Sequence, residues 1–418
     1  IMKEFTNYQY EVRFLRAYFY FELIKRYRNI PFVLDVLAQN EANGVNPESY
    51  EKIAKFIVDE CSDLAQILPV NYDNFSTKEK GRVTRAAAMA LKSRVTLYMA
   101  SPLFSEDSED KWKQAAEAAY DIIKQKTDLG LDLVPYPQIF NDVNNQKAEV
   151  ILYRPTGESG DFEKANFPIG VEGGKTSTCP TQNLMEAYDM KDGTPFVWNN
   201  QSNPYDNRDP RMKYTIVCNE MKWPVDPVEI WEGGTNGLPL QNATTTGYYL
   251  KKYVNNTISF EAGSTVTKKQ HNWVLFRYGE ILLNYAEAMI NAFHDPNYKD
   301  AVYNMSAREA VNQIRGRTNI SLPGFPSDIT EKDFVKRLKN ERRVELAFEG
   351  HRFWDVRRWK ELGQTANIYG VKITKNNEVI SYEKFLLETR AVTDNMYFYP
   401  IPNTERFKNP NLGQNPGW

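Results

Sequence analysis

The feature that most constrains this chain is a run of nineteen residues near its C-terminus, Glu341-Arg-Arg-Val-Glu-Leu-Ala-Phe-Glu-Gly-His-Arg-Phe-Trp-Asp-Val-Arg-Arg-Trp359. Nine of them are charged and four are aromatic, with acids and arginines interleaved. Glu341, Glu345 and Glu349 recur at i, i+4 and i+8, so a helix would align them in one acidic stripe, where like charges repel. Arginines stand at helical distances to answer them: Arg337 for Glu341, Arg342 for Glu345 and Arg352 for Glu349. Phe348, Phe353, Trp354 and Trp359 need cover from water. The charges are therefore expected at the edge of a packed interior, where a carboxylate requires a planar, multi-donor partner and arginine serves better than lysine.

With 418 residues the chain can bury a large core. A formal charge of −2 gives no field that would draw nucleic acid or an anionic membrane surface. No apolar run approaches the roughly 18 residues of a membrane span. Cys61, Cys179 and Cys218 are odd in number and far apart, so they are expected as buried or half-buried free thiols. The three histidines, His271, His294 and His351, never fall at i, i+4, which argues against a histidine-built metal site. The chain opens with Ile1-Met-Lys-Glu, and no signal peptide is visible.

Helical periodicity dominates residues 1–150 and 273–360. Phe14, Tyr18 and Phe21 mark one face of a first helix. Tyr50 to Leu68 reads as a second, ended by Pro69, and Val83, Ala87, Ala90, Leu91 and Tyr98 line a third. Trp112, Ala115, Ala116, Ala119, Ile122 and Ile123 form the next stripe. Tyr278, Ile281, Leu282, Tyr285 and Met289 fit another. Ser306-Ala-Arg-Glu309 is a capping box, and Thr330-Glu-Lys-Asp333 opens the helix that carries the charged run toward Gly350. Residues 151–272 differ: Gly, Asn, Pro and Thr are frequent, and short extended runs (214–217, 248–253) alternate with turn clusters. This predicts an irregular lobe with a few short strands riding on a helical scaffold. Residues 361–418 read as mostly irregular.

Two stretches invite a catalytic reading. Gly170-Val-Glu-Gly-Gly-Lys-Thr176 looks like a phosphate-binding loop, but Gly170 stands one residue too close to Gly174, and no strand-loop-helix context surrounds it. The glutamate stripe could supply paired acids for glycoside hydrolysis, roughly 5–10 Å apart across a sugar. Arginine partners keep a carboxylate ionised, however, whereas a general acid needs its pKa raised. No other catalytic or cofactor motif is present, so neither cofactor nor metal is expected.

The charged run closely resembles the signature of the SusD/RagB family, outer-membrane nutrient-binding lipoproteins of Bacteroidetes-type bacteria. The likeness extends along the chain: Arg13-Phe-Leu-Arg-Ala-Tyr-Phe-Tyr-Phe-Glu-Leu23 with Pro31-Phe-Val33, Arg85-Ala-Ala-Ala-Met-Ala-Leu-Lys-Ser-Arg-Val95, Tyr188-Asp-Met-Lys-Asp-Gly193 and Arg208-Asp-Pro-Arg211. It continues through Arg277-Tyr-Gly-Glu-Ile-Leu-Leu-Asn-Tyr-Ala-Glu-Ala288, Tyr399-Pro-Ile-Pro402 and Asn409-Pro-Asn411. The resemblance implies a mainly α fold: a single domain whose tetratricopeptide-like superhelix (1–150 and 273–360) carries the lobe (151–272), with 361–418 as a C-terminal segment. It also implies a non-catalytic, surface-exposed, lipid-anchored glycan-binding protein that serves a SusC-like, TonB-dependent transporter. The lipid-bearing cysteine would lie upstream of the first helix, and none of the three cysteines here stands in such a place.

Sugars present apolar C–H faces and hydroxyl edges, so aromatic platforms flanked by amides suit them. In the irregular lobe Trp198, Tyr205, Trp223, Trp231 and Tyr248 are the candidates, with Asn199, Asn200, Asn203 and Asn207 near the first two. Tyr18, Trp112 and Tyr285 are expected in the core. Two other roles compete with glycan capture: a glycoside hydrolase, and a structural or peptide-capturing partner of the transporter.

Overall fold

The computed structural model describes residues 2–38, 40–73, 81–106, 108–199, 203–261 and 267–418; Asn200 lies outside them. Four helices open the chain: α1 (Met2–Tyr27), α2 (Tyr50–Ile67), α3 (Arg85–Ala100) and α4 (Glu109–Lys124). The small pair β1 (Ile30–Pro31) and β2 (Pro47–Glu48) bridges the link from α1 to α2. Side chains of Ser49, Thr84 and Ser108 accept from the backbone N–H three residues on and start α2, α3 and α4. Along α2 the buried residues Ile53, Ala54, Ile57, Cys61 and Leu64 fall on one face, whereas α3 is buried almost all round because helices pack on several sides of it.

The lobe hangs from a neck of two strands, β3 (Val150–Pro155) and β6 (Asn272–Arg277), paired antiparallel from Val150↔Arg277 to Pro155↔Asn272. Between them lie short turns of helix, α5 (Asp161–Asn166), α6 (Gln182–Met185) and α7 (Met212–Thr215), and the pair β4 (Ile216–Val217) with β5 (Tyr249–Leu250). The extended runs expected at 214–217 and 248–253 thus shrink to two residues each. Helix α8 (Tyr278–Phe293) follows β6 without a break and is buried on every side; α9 (Ala307–Arg315) starts with the capping box, both of whose bonds form. Then come α10 (Glu331–Glu345) and α11 (Arg352–Arg358). Helix packs on helix in the order α1, α2, α3, α4, α8, α9, and α10 closes on α8.

Two expectations are corrected. The charged run is not one helix: α10 stops at Glu345, Phe348 (φ 60°) and Gly350 (φ 80°) turn the chain, and α11 restarts it. Glu349 therefore leaves the helical stripe. Residues 361–418 are also more ordered than their composition suggested. They hold a long hairpin, β7 (Asn367–Asn376) with β8 (Val379–Thr389), and a last helix, α12 (Asn403–Lys408). Its two-residue turn, Asn377-Glu378, has both φ positive (49° and 66°), the twist a tight hairpin needs.

The scaffold and the lobe have separate apolar cores. Phe14, Phe21, Trp112 and Tyr285 lie in the first, with Tyr18 half-buried against it. The second joins lobe residues Tyr188, Ile216, Trp223 and Tyr248 to Val371, Ile373 and Tyr382 of the hairpin and Val344 of α10. Val12, Leu15, Phe19 and Leu23 stay exposed along α1. Among the described residues no helix is long and apolar enough to cross a membrane.

Candidate functional site

The three glutamates of the charged run do not pair with their helical neighbours. Glu345 accepts from Arg277 Nη1 (2.8 Å) and Arg317 Nη2 (2.7 Å) through one oxygen and from Arg211 Nη1 (2.9 Å) through the other. Glu341 takes Arg315 (2.7 Å) and Arg211, while Glu349 takes Arg277 (2.7 Å) and Lys252 (2.9 Å). Glu149, just before β3, closes the cluster on Arg277 and Arg317 (2.8 and 2.9 Å). The expected partners look elsewhere: Arg337 to Asp189 (3.7 Å), Arg342 to Asp355 (2.9 Å), Arg352 to Gln364 (2.8 Å). The reason is burial. Glu341, Glu345 and Glu349 face inward, where a single arginine one helical turn away cannot satisfy a desolvated carboxylate, and converging donors from the lobe, the neck and α9 can. Arg211, which also holds Asp209 at 2.8 Å, ties the Arg208-Asp-Pro-Arg211 segment of the lobe to α10.

This cluster is structural chemistry. Burial pushes the three carboxyls up, but Arg211, Arg317, Arg277 and their neighbours outweigh it and hold Glu341, Glu345 and Glu349 below the usual carboxylate range. A group held ionised, enclosed and saturated with donors cannot act as the proton donor that glycoside hydrolysis requires. Among the described residues no group of His, Cys, Asp or Glu is arranged to hold a metal ion. Cys61 and Cys218 are buried, Cys179 is half-buried, and burial pushes the Cys218 thiol up to about 12, which makes it inert.

The five aromatic candidates do not converge. Tyr248 is completely buried and its hydroxyl donates to Gln182 Oε1 (2.5 Å), so it has no free face. Tyr205 meets Tyr248 and Tyr382 edge-on, with ring centroids 6.2 and 5.3 Å away. Trp231 lies under the Lys375 ammonium (4.6 Å), and Trp198 is half-buried beside Phe196 (6.5 Å). Trp223 differs from these four. Although only 6% exposed, it forms part of the wall of two adjoining clefts of about 630 and 480 Å³. Exposed Asn256 and Thr257 belong to both clefts as well.

Side chains that were not singled out in the sequence build the rest of these clefts. Phe260, half-buried, faces the first. It lies flat on the backbone at Gly160 and Gly173; a Cβ at Gly173 (φ +77°) would come within 2.9 Å of its ring. Gly170 (φ +87°) meets the carbonyl of Thr235, where a Cβ would sit 2.2 Å away. The glycines that resemble a phosphate loop therefore exist to let three lobe loops touch. In the second cleft His271 stacks on Trp273 (5.4 Å, 13° between planes) and bonds Glu163 Oε1 (2.9 Å). That oxygen also accepts from the Asn255 backbone (2.9 Å), which fixes the 255–257 turn. The Asn255-Asn256-Thr257 triplet after an aromatic run was the signal available in sequence. The arrangement offers amide and hydroxyl edges beside aromatic and aliphatic walls, suited to a neutral polyhydroxy ligand.

Residues 139–418 match the SusD family. Over 163 residues the chain is 29% identical to SusD-like protein P2 of Formosa agariphila, a match spanning 38% of this chain and 28% of that protein. A crystal structure of a SusD-like protein from Bacteroides fragilis is similar with a TM-score of 0.79 at 27% identity, covering 98% of this chain and 79% of that one. A SusD-like carbohydrate binding protein from the same species matches with the same TM-score and identity, covering 97% and 79%. The family match runs through the neck, the lobe, the charged run and the hairpin, well over half of the sequence, and this protein therefore belongs to the SusD family.

Proposed function

We propose that this protein captures an oligosaccharide or polysaccharide at the bacterial cell surface and passes it, chemically unchanged, to a TonB-dependent outer-membrane transporter. The observation that carries the reading is the pair of clefts sharing Trp223, Asn256 and Thr257 in the lobe. Proteins of the SusD family bind without catalysis, and a relative 27% identical is a carbohydrate binding protein. In this reading Trp223 is a buried wall, Phe260 supplies an apolar face, and Asn256 and Thr257 take sugar hydroxyls. Trp198, Tyr205, Trp231 and Tyr248 then hold the lobe in shape. The helix-on-helix stack α1 to α9 is taken as the tetratricopeptide-like scaffold, and attachment to the outer membrane is through a lipid upstream of α1.

The test is calorimetric titration against neutral plant, host and microbial glycans, with product analysis of each mixture. Saturable binding of intact glycan is expected. The double variant Asn256→Ala/Thr257→Ala should weaken it by about thirtyfold, since two neutral hydrogen bonds at about 1 kcal/mol each are removed. Cleaved glycan, or affinity unchanged in that variant, would refute the proposal.

A further inference from the structure

A cleft of about 840 Å³, which shares no lining residue with the two Trp223 clefts, lies between the outer face of α10, the start of α11 and the 186–196 segment. Five acids (Glu186, Asp189, Asp328, Asp333 and Glu361, of which Asp328 is exposed) share its wall with six cations, a small positive excess. Glu186 is held by Lys384 (2.8 Å), Asp189 by Arg315 (3.3 Å), and Glu361 by Lys339. Asp333 accepts from the Thr330 hydroxyl at the start of α10 (2.9 Å). The cations fare differently. Arg343 makes no hydrogen bond, ion pair or ring contact with any described residue, and Arg352 bonds only the neutral Gln364.

The rest of the charged run sharpens the contrast. Arg342 reaches Asp355, Arg358 reaches both Glu287 and Asp355, and Arg357 covers the Phe353 ring at 3.5 Å. Arg343 alone is half-buried with its planar fork unanswered, and burial followed by the like charge of Arg352 pushes it down to about 10. Two guanidiniums repel each other here, and the carboxylates nearest them, Glu186, Asp355 and Glu361, are each already paired with another cation. Exposed Lys332 and Lys336, also without partners among the described residues, add positive charge on the same wall.

We propose that this cleft is an oxyanion site in which Arg343 and Arg352 together grip the carboxylate or sulfate group of an acidic saccharide. A guanidinium fork matches either group with two parallel N–H donors, and the cleft has room for the sugar that carries it. The saccharide half of the proposal rests on the function proposed above; the oxyanion half does not.

The experiment titrates the whole chain, at constant ionic strength, with a glucuronate-containing disaccharide, its neutral counterpart, a sulfated monosaccharide, sodium glucuronate and sodium sulfate. The expected result is saturable binding of the acidic sugars, with the neutral disaccharide at least tenfold weaker. Arg343→Gln and Arg352→Gln should each lose it, while Arg343→Lys, which keeps the charge but not the fork, should retain part. Lys55→Gln, at an exposed position of α2, should leave it unchanged. Thermal unfolding checks that each variant is folded. Equal binding of free sulfate and the acidic sugars would overturn the saccharide half and leave an inorganic anion site. No binding of any anion, or binding indifferent to both glutamine variants, would overturn the whole. Loss of acidic-sugar binding in Asn256→Ala would assign it to the lobe instead and count against this cleft.

Discussion

Replacing Glu345 by Gln keeps the shape of the side chain and removes its charge from beneath three guanidiniums. The native carboxylate accepts from Arg211, Arg277 and Arg317 at 2.7–2.9 Å, in a place with no exposure to water. The amide retains one acceptor oxygen and turns an NH2 toward a cationic donor. At least one charge-assisted bond is lost, and the three arginines are left to Asp209, Glu341, Glu149 and Glu349 with one negative charge fewer to offset their repulsion. Breaking a buried ion pair from one side costs about 3–5 kcal/mol. At roughly 2.1 cal/mol/K per residue, unfolding 418 residues carries an entropy on the order of 0.9 kcal/mol/K, so the midpoint should fall by about 3–6 °C. Differential scanning calorimetry at pH 7 measures this. Asp59→Asn, which breaks the exposed i,i+4 pair with Lys55, is the control and should stay within about 0.5 kcal/mol of the native protein. If the two variants shift alike, the ion cluster does not hold lobe to scaffold as argued.

Other outcomes follow from single contacts. Burial pushes the Glu287 carboxyl up, but Arg358 outweighs it, leaving a pKa of about 2 against an ordinary 4.5. A depressed pKa contributes stability that is complete above about pH 4.5 and is lost as pH falls toward 2, worth about 3 kcal/mol. Glu287→Gln should flatten denaturant stability across that window; an unchanged acid profile would sink the assignment. Trp223→Ala should cost about 3–5 kcal/mol of stability because the ring is buried, whereas Asn256→Ala should cost almost none. A Trp223→Ala protein of native stability would contradict that placement. Glu378→Gly should raise stability by on the order of 1 kcal/mol, since φ is 66° there and Gly suits the second position of the Asn377-Glu378 turn. Slower amide exchange at the hairpin tip is the readout, and faster exchange would count against the turn assignment.

The hairpin shows why some structure stayed out of view. Val371, Ile373 and Tyr382 are buried by the lobe, an association between segments more than a hundred residues apart, and nothing near them in sequence announces it. The helices were far more legible. Ser306 and Glu309 satisfy each other across three residues, and Pro69 follows the end of α2, both readable within one helical turn. Tyr248 and Tyr253 look alike in the same aromatic run. Which of them meets a cleft depends on how that run leaves β5, and Tyr253, not Tyr248, reaches one.

The sequence by itself determined that this chain is mainly helical, that it carries the family's charged run, and that its acids are held by arginine and not poised for catalysis. It did so because periodicity, capping and residue type act within a few positions. Only the tertiary structure decided which arginine meets which acid, where the run breaks, and which aromatics line a cleft. Arg211 reaches Glu341 across 130 residues, and Arg277 reaches Glu345 across 68. A buried charge is satisfied by whatever donors the fold brings to it, and distance along the chain has no part in that choice.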